Sequence, residues 1–164
     1  VDPAGKDLVI FGAGGAARAI AVESALAGAS HITIVNTTAS RGHDLVDRIN
    51  ANTPAEATLV HWDHTIKIPG TTEIVVNATS VGLFPDIDAR LNIDANTLLP
   101  SMVVADVIPN PPRTRLLADA ADRGCTTLDG MGMLVNQGRV AIKLWTGVDV
   151  DGQIMRRKLE ELFA

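Results

Sequence analysis

A short apolar run that empties into a glycine cluster, and then into a helix of small residues, constrains this chain more than any other stretch. Leu8-Val9-Ile10-Phe11 reads as a buried strand. Gly12-Ala13-Gly14-Gly15-Ala16-Ala17 follows at once and matches G-x-G-x-x-A. Residues 18–27 are compatible with helix, closed by Gly28 at the usual C-terminal cap position. In such a strand–loop–helix, Gly12 permits the tight turn and Gly14 lets the main chain approach a diphosphate with no Cβ between them. Ala17 keeps the helix close to the sheet, and the helix start offers unpaired N–H groups and a positive dipole end to phosphate. The competing reading is a glycine-rich turn that only packs a helix on a strand. The strand before and the helix after supply the context that a dinucleotide site requires.

The rest of the chain alternates short apolar strands with helical stretches, the pattern of a parallel sheet covered on both faces. Strands are expected at 31–35 (ending at Asn36), 58–61, 73–77, 102–106 and 125–128. A helix is expected over 41–51, with Ser40 as its N-cap and Leu45, Val46 and Ile49 facing inward. Another is expected over 113–123, whereas 64–70 is too short and too proline-broken for a full crossover helix. Of two closing helices, 130–145 is expected to bury Leu134, Gly138, Ala141, Ile142 and Trp145 in one stripe. The other, 151–163, is expected to bury Ile154, Leu159, Leu162 and Phe163 in part. The fold class is therefore α/β: a doubly wound, Rossmann-type, mostly parallel six-stranded sheet in the order 3-2-1-4-5-6, with helices on both faces and one domain across 1–164.

Charge and composition remove whole classes of function. A net charge of −5 with no Lys/Arg cluster excludes a nucleic-acid surface. No apolar run reaches transmembrane length, so no membrane partner is expected. Cys125 is alone, which rules out a disulfide framework, favours a reducing, cytoplasmic setting and reads as inert core. His61-Trp62-Asp63-His64 has metal-ligand residue types, but no further ligand has suitable spacing, so no metal is expected. The opening Val1-Asp2-Pro3-Ala4-Gly5-Lys6 lacks the basic start of a signal peptide, and the missing Met suggests a processed chain or a piece of a longer one.

In a doubly wound sheet, ligands bind beyond the carboxyl ends of the strands. There the unusual residues gather: 12–15, 36–41, 77–82, 107–112 and 129–133. After the second strand an acid would favour NAD and a basic group NADP. Asn36, Thr37, Thr38, Ser40 and Arg41 bring hydroxyls and one guanidinium, which favours NADP over NAD; the alternative is a plain turn and a solvated first-turn arginine. Asn77-Ala78-Thr79-Ser80-Val81-Gly82 is small enough to let a ring or ribose approach, or is an ordinary Asx/Ser turn. Gly130, Met133 and Gln137 share one helix face, so Gly130 and Met133 face the cofactor and Gln137 offers a two-sided amide one turn on; otherwise Met133 is core filler and Gln137 surface.

Taken together, Asp2-Pro3-Ala4-Gly5-Lys6, the glycine loop, Asn77-Ala78-Thr79-Ser80-Val81-Gly82, Asn110-Pro111 and Asp129-Gly130-Met131-Gly132-Met133-Leu134-Val135-Asn136-Gln137 resemble the C-terminal NAD(P)-binding domain of the shikimate/quinate dehydrogenases. The resemblance covers essentially the whole chain. It implies that Gly12, Ala13, Gly14, Gly15 and Ala16 hold the diphosphate, that Val107 and Gly130 contact the nicotinamide end, and that Gln137 binds the substrate. The implied reaction is reversible hydride transfer between NAD(P) and a ring hydroxyl of shikimate, quinate or a related cyclic polyol. The implied partners are that small molecule, an N-terminal substrate domain absent from this chain, and a second copy in a homodimer.

Three departures from the family pattern shape the expectation. Thr37 stands where the family has the first arginine of Asn-Arg-Thr-x-x-Arg, leaving Arg41 as the charge on a 2′-phosphate. Pro109 stands where the family places a substrate-contacting tyrosine, and Arg115 where it has proline, which admits a different, for instance amino-substituted, ring. The family's catalytic lysine and aspartate belong to the N-terminal domain, and Lys6, Lys67, Lys143 and Lys158 do not sit at strand exits. Asp106, Asp129, Arg113 and Arg115 at the crevice include no obvious acid, so the chain alone is expected to bind nucleotide without turnover. The rival is a nucleotide-binding or regulatory module without catalysis.

Overall fold

The computed structural model describes residues 1–163. Six strands, β1 (Asp7–Phe11), β2 (His31–Asn36), β3 (Glu56–His61), β4 (Ile74–Asn77), β5 (Val103–Asp106) and β6 (Thr126–Leu128), form one sheet in the order β3-β2-β1-β4-β5-β6. Every pairing is parallel. Five helices accompany them: α1 (Gly15–Leu26), α2 (Ala39–Asn52), α3 (Arg115–Asp122), α4 (Met131–Thr146) and α5 (Gly152–Leu162). The expected strand order and fold class are those observed.

Alternation along β1 divides the interior. Leu8 and Ile10 join Ile32, Ile34 and Val76 under α1 and α2, while Val9 and Phe11 join Val75, Val104, Leu116 and Leu117 on the opposite face. On α1, Ala17, Ala21 and Ala25 recur every four residues and are fully buried, so the helix lies close against the sheet. No helix links β3 to β4. Ile66 and Ile68 cover that part of the sheet instead, held by an isolated bridge from Ile66 to Ile93.

Local details differ from expectation in ways that side-chain bonding explains. Helix α2 starts at Ala39 with Thr38 at the N-cap, so Ser40 is in the first turn and not the cap; the Asn36 side chain donates to the Thr38 carbonyl at 2.8 Å and turns the chain earlier. Helix α3 starts two residues late because the Thr114 hydroxyl caps it, accepting from the Leu117 N–H. Strand β6 is exposed along its length, as an edge strand, and Cys125 before it is half-buried, its thiol donating to the Leu99 carbonyl at 3.1 Å. Burial pushes that thiol above its ordinary range, against the opposing charge of Arg123.

The largest correction concerns the closing helices. The buried residues of α4 are Met131 and Val135, and none of α5 is buried. Leu134, Gly138, Ala141 and Ile142 are only half-buried, and Trp145 is 81% exposed. Ile154 and Leu162 are exposed as well, while Leu159 and Phe163 are half-buried. Periodicity identified an apolar stripe correctly, but what α4 packs on is α5: the Met155 methyl sits 2.7 Å from where a Cβ on Gly138 would be. The remaining stripe is left open to solvent. Among the described residues no helix is long and apolar enough to cross a membrane.

Candidate functional site

The sheet reverses its winding between β1 and β4, the place where doubly wound folds open a crevice. Gly12 leaves β1 there with φ +106, and a Cβ on it would stand 2.8 Å from the Ala78 carbonyl oxygen at the β4 exit. Hydrogen bonds from Gly12 N–H to Val35 and from Ala78 N–H to Phe11 close the seam at 2.8 and 2.9 Å. Gly12 is thus required by the fold itself.

Gly14 and Gly15 are not. Gly14 has φ −80, an ordinary value, and among the described residues a Cβ on either glycine would meet nothing within 4 Å. Neither backbone strain nor packing accounts for these glycines. Open space at the start of α1 does, if a ligand's diphosphate fills it. The helix start fits that role: Gly14 makes no side-chain cap and the first turn holds no acid, so its N–H groups and positive dipole end are uncompensated. Arg18 lies beside them, with Nε 3.5 Å from the Ala13 carbonyl and an ion pair to Asp44 at 3.6 Å. The residues present fit a dinucleotide.

At the β2 exit Asn36 is half-buried and committed to the turn, while Thr37, Thr38 and Arg41 are exposed at the start of α2. A single guanidinium and hydroxyls stand where a ribose 2′-substituent would be read.

The β4 and β5 exits are one hydrogen-bonded unit. Asn77, fully buried, accepts at Oδ1 from Thr79 N–H (3.0 Å) and the Thr79 hydroxyl (2.7 Å). Its Nδ2 donates to both Asp106 oxygens at 3.1 Å and to the Val81 carbonyl at 3.3 Å. Asp106, 3% exposed, also accepts from Ile108 N–H at 3.0 Å and the Thr114 hydroxyl at 2.8 Å. Burial pushes its carboxyl above the usual carboxylate range, opposed by those three donors, Asn77, Ile108 and Thr114. Asp106 and Thr114 were not singled out as a pair by the sequence; an acid ending an otherwise apolar strand, Val103-Val104-Ala105-Asp106, was the available signal.

Gly130 abuts this unit. A Cβ there would fall 2.5 Å from the Ile108 carbonyl carbon and collide with the Val107 carbonyl oxygen, so the start of α4 rests on the β5 exit. Val107 and Gly130 therefore come together. Gly130 is the N-cap of α4, and Met133 and Gln137 line one apolar groove of about 560 Å3 with Asn136, Val140, Ala141 and Leu144. Asp129 is bound by Arg156: burial pushes its carboxyl up, but the Arg156 guanidinium with the Gly132 and Met131 N–H groups holds it below the ordinary value. Arg115 pairs with Asp88. Lys6, Lys143 and Lys158 pair with Glu73, Asp149 and Glu161.

Comparison with known proteins agrees with this geometry. A family model described as the Shikimate 5'-dehydrogenase C-terminal domain matches residues 130–160. The ligand-free 5-ketofructose reductase of Gluconobacter sp. strain CHM43 is 51% identical, with a TM-score of 0.93 over 99% of this chain and 58% of that one. Shikimate 5-dehydrogenase from Listeria monocytogenes, solved with shikimate and NAD, is 34% identical with a TM-score of 0.85 over 96% of this chain and 57% of that one. The curated Shikimate dehydrogenase (NADP(+)) of Alkaliphilus metalliredigens is 36% identical over 96% of this chain and 56% of its own length. The chain thus spans little more than half the length of the relatives it matches. By sequence and by fold, the chain is similar to the C-terminal part of the shikimate dehydrogenases.

Proposed function

We propose that this chain is the coenzyme-binding domain of an oxidoreductase that moves a hydride between NADP or NAD and a ketone or secondary hydroxyl of a small polyhydroxylated molecule. The observation that carries the reading is the pair Gly14 and Gly15, glycines that the fold does not need, at the uncapped start of α1 beside the switch point. In this reading Gly12, Ala13, Gly14, Gly15 and Ala16 cradle the diphosphate. Thr37, Thr38 and Arg41 receive the adenosine ribose and its 2′-phosphate, with Asn36 holding their turn. Asn77, Ala78, Thr79, Ser80, Val81, Val107, Gly130 and Met133 form the nicotinamide side, and Gln137 contacts substrate. The coenzyme supplies the hydride.

The alkoxide formed from a ketone needs a proton donor. Asp106 spends its oxygens on internal donors and Asp129 is tied to Arg156, so neither is free for that work. We assign the proton transfer to the lysine and aspartate that the family carries on an N-terminal domain. The additional length of the relatives supports such a domain, and the open apolar stripe on α4 is compatible with it. The lone Cys125 supports a cytoplasmic setting.

Shikimate, quinate or a related cyclic polyol is the substrate class suggested by the family. A second reading, a keto sugar, is favoured by the 51% identity to a 5-ketofructose reductase and by Pro109, which removes the family's tyrosine hydroxyl. Steady-state assay of the full-length protein with NADPH and NADH against 3-dehydroshikimate and 5-ketofructose, and in reverse with quinate, tests both. Turnover of one class is expected. Turnover of none contradicts the reading.

A further inference from the structure

We infer that Asp106 is a positioning residue that sets the nicotinamide side of the site by locking the β4 and β5 exits to each other. The inference rests on the coenzyme reading above and extends it to a residue that touches no ligand. Three donors from separate segments converge on this carboxylate: Asn77 Nδ2 from β4, Ile108 N–H from the β5 exit and the Thr114 hydroxyl from the cap of α3. Only an acceptor-only group satisfies all of them.

The consequence reaches the loop. An amide beside a carboxylate must present its NH2 to it, so Asp106 decides which way Asn77 faces. Asn77 Oδ1 is thereby aimed at Thr79, whose N–H and hydroxyl it accepts, and the Thr79 hydroxyl in turn accepts from Val81 N–H at 3.1 Å. The β4 exit is wound around that amide. On the other side, the Ile108 bond fixes the backbone against which Gly130 is packed without room for a Cβ. The small-residue loop and the start of α4 therefore share one buried anchor, while the glycine loop and the β2 exit, which take the adenosine half, lie outside its bonds.

An asparagine at 106 keeps the shape but sets NH2 against the NH2 of Asn77 or against the Ile108 N–H. Calorimetric titration of this chain with NADPH and with 2′-phospho-ADP-ribose, which lacks the nicotinamide, separates positioning from general stability. In Asp106→Asn, NADPH affinity is expected to fall about tenfold or more while the nicotinamide-free ligand holds within about twofold. Thr114→Val, which removes one donor, is expected to shift the same ratio by about threefold and decides the matter should Asp106→Asn not fold. Parallel loss of both ligands, an unchanged ratio, or equal affinity of the parent chain for the two would overturn the inference. Binding of neither ligand by the parent chain would instead contradict the coenzyme reading itself.

Discussion

Gly12 and Ala78 meet where β1 and β4 leave the sheet, so closely that a methyl group on Gly12 would stand 2.8 Å from the Ala78 carbonyl oxygen. Two residues on, Gly14 meets nothing within 4 Å among the described residues. The two glycines of one motif therefore answer to different demands, and substitution separates them. Gly12→Ala is expected to lower unfolding free energy by more than about 1 kcal/mol, because φ +106 and the neighbouring carbonyl both oppose it. Gly14→Ala is expected to cost no more than about 1 kcal/mol and yet to weaken NADPH about tenfold or more. Urea unfolding and NADPH fluorescence titration read the two effects. Undiminished NADPH affinity in Gly14→Ala would leave that glycine without a cause.

Arg41 is the exposed cation at the start of α2, and Thr37 beside it carries no charge. Arg41→Ala is expected to weaken NADPH by about tenfold while changing NADH little, since a charge-assisted bond to the 2′-phosphate is lost only in the first case. Thr37→Arg is expected to move the ratio the other way. Equal losses for both coenzymes in Arg41→Ala would refute the phosphate role.

The Asp129–Arg156 pair joins the segment before α4 to α5. Burial raises the Asp129 carboxyl, but the Arg156 guanidinium together with the Gly132 and Met131 N–H groups brings the net position below the ordinary value. A depressed folded-state pKa contributes stability above the unfolded value and loses it as pH falls through the folded one. Arg156→Ala is therefore expected to destabilise the chain at neutral pH, with the difference from the parent closing as pH drops below the ordinary carboxylate range. Denaturant unfolding at both pH values checks this; a pH-independent difference would contradict the pairing.

Trp145 has the sequence position of a core residue and 81% of its surface in water. Trp145→Ala is expected to change stability by less than about 0.5 kcal/mol, whereas a buried tryptophan would cost about 3–5 kcal/mol. Thermal unfolding of this chain decides between them.

That residue marks where legibility ended. Leu8-Val9-Ile10-Phe11, the other strands and their order were readable because the central strands bury their own apolar runs inside the chain, the exposed edge strand β6 excepted. The stripe through Leu134, Ala141 and Trp145 was readable as a pattern, but a pattern does not name its partner, and here α5 takes only part of it. Caps and boundaries depended on side chains folding back locally: Asn36 started α2 before Ser40, and Thr114 delayed α3. Asn77 was visible as a small-residue loop opener, but its bond to Asp106 spans 29 residues and exists only once β4 and β5 are paired. Gly130 was legible from the helix face it shares with Met133 and Gln137, and Val107 entered through family resemblance; the packing of one on the other is a contact that the pattern alone did not contain.

The most direct measurement is a crystal structure of this chain grown with NADP+. The diphosphate is expected to seat against the main chain at Gly14 and Gly15, its oxygens accepting from the free N–H groups that open α1. A diphosphate bound elsewhere, or that space closed by the protein's own side chains, would contradict that expectation.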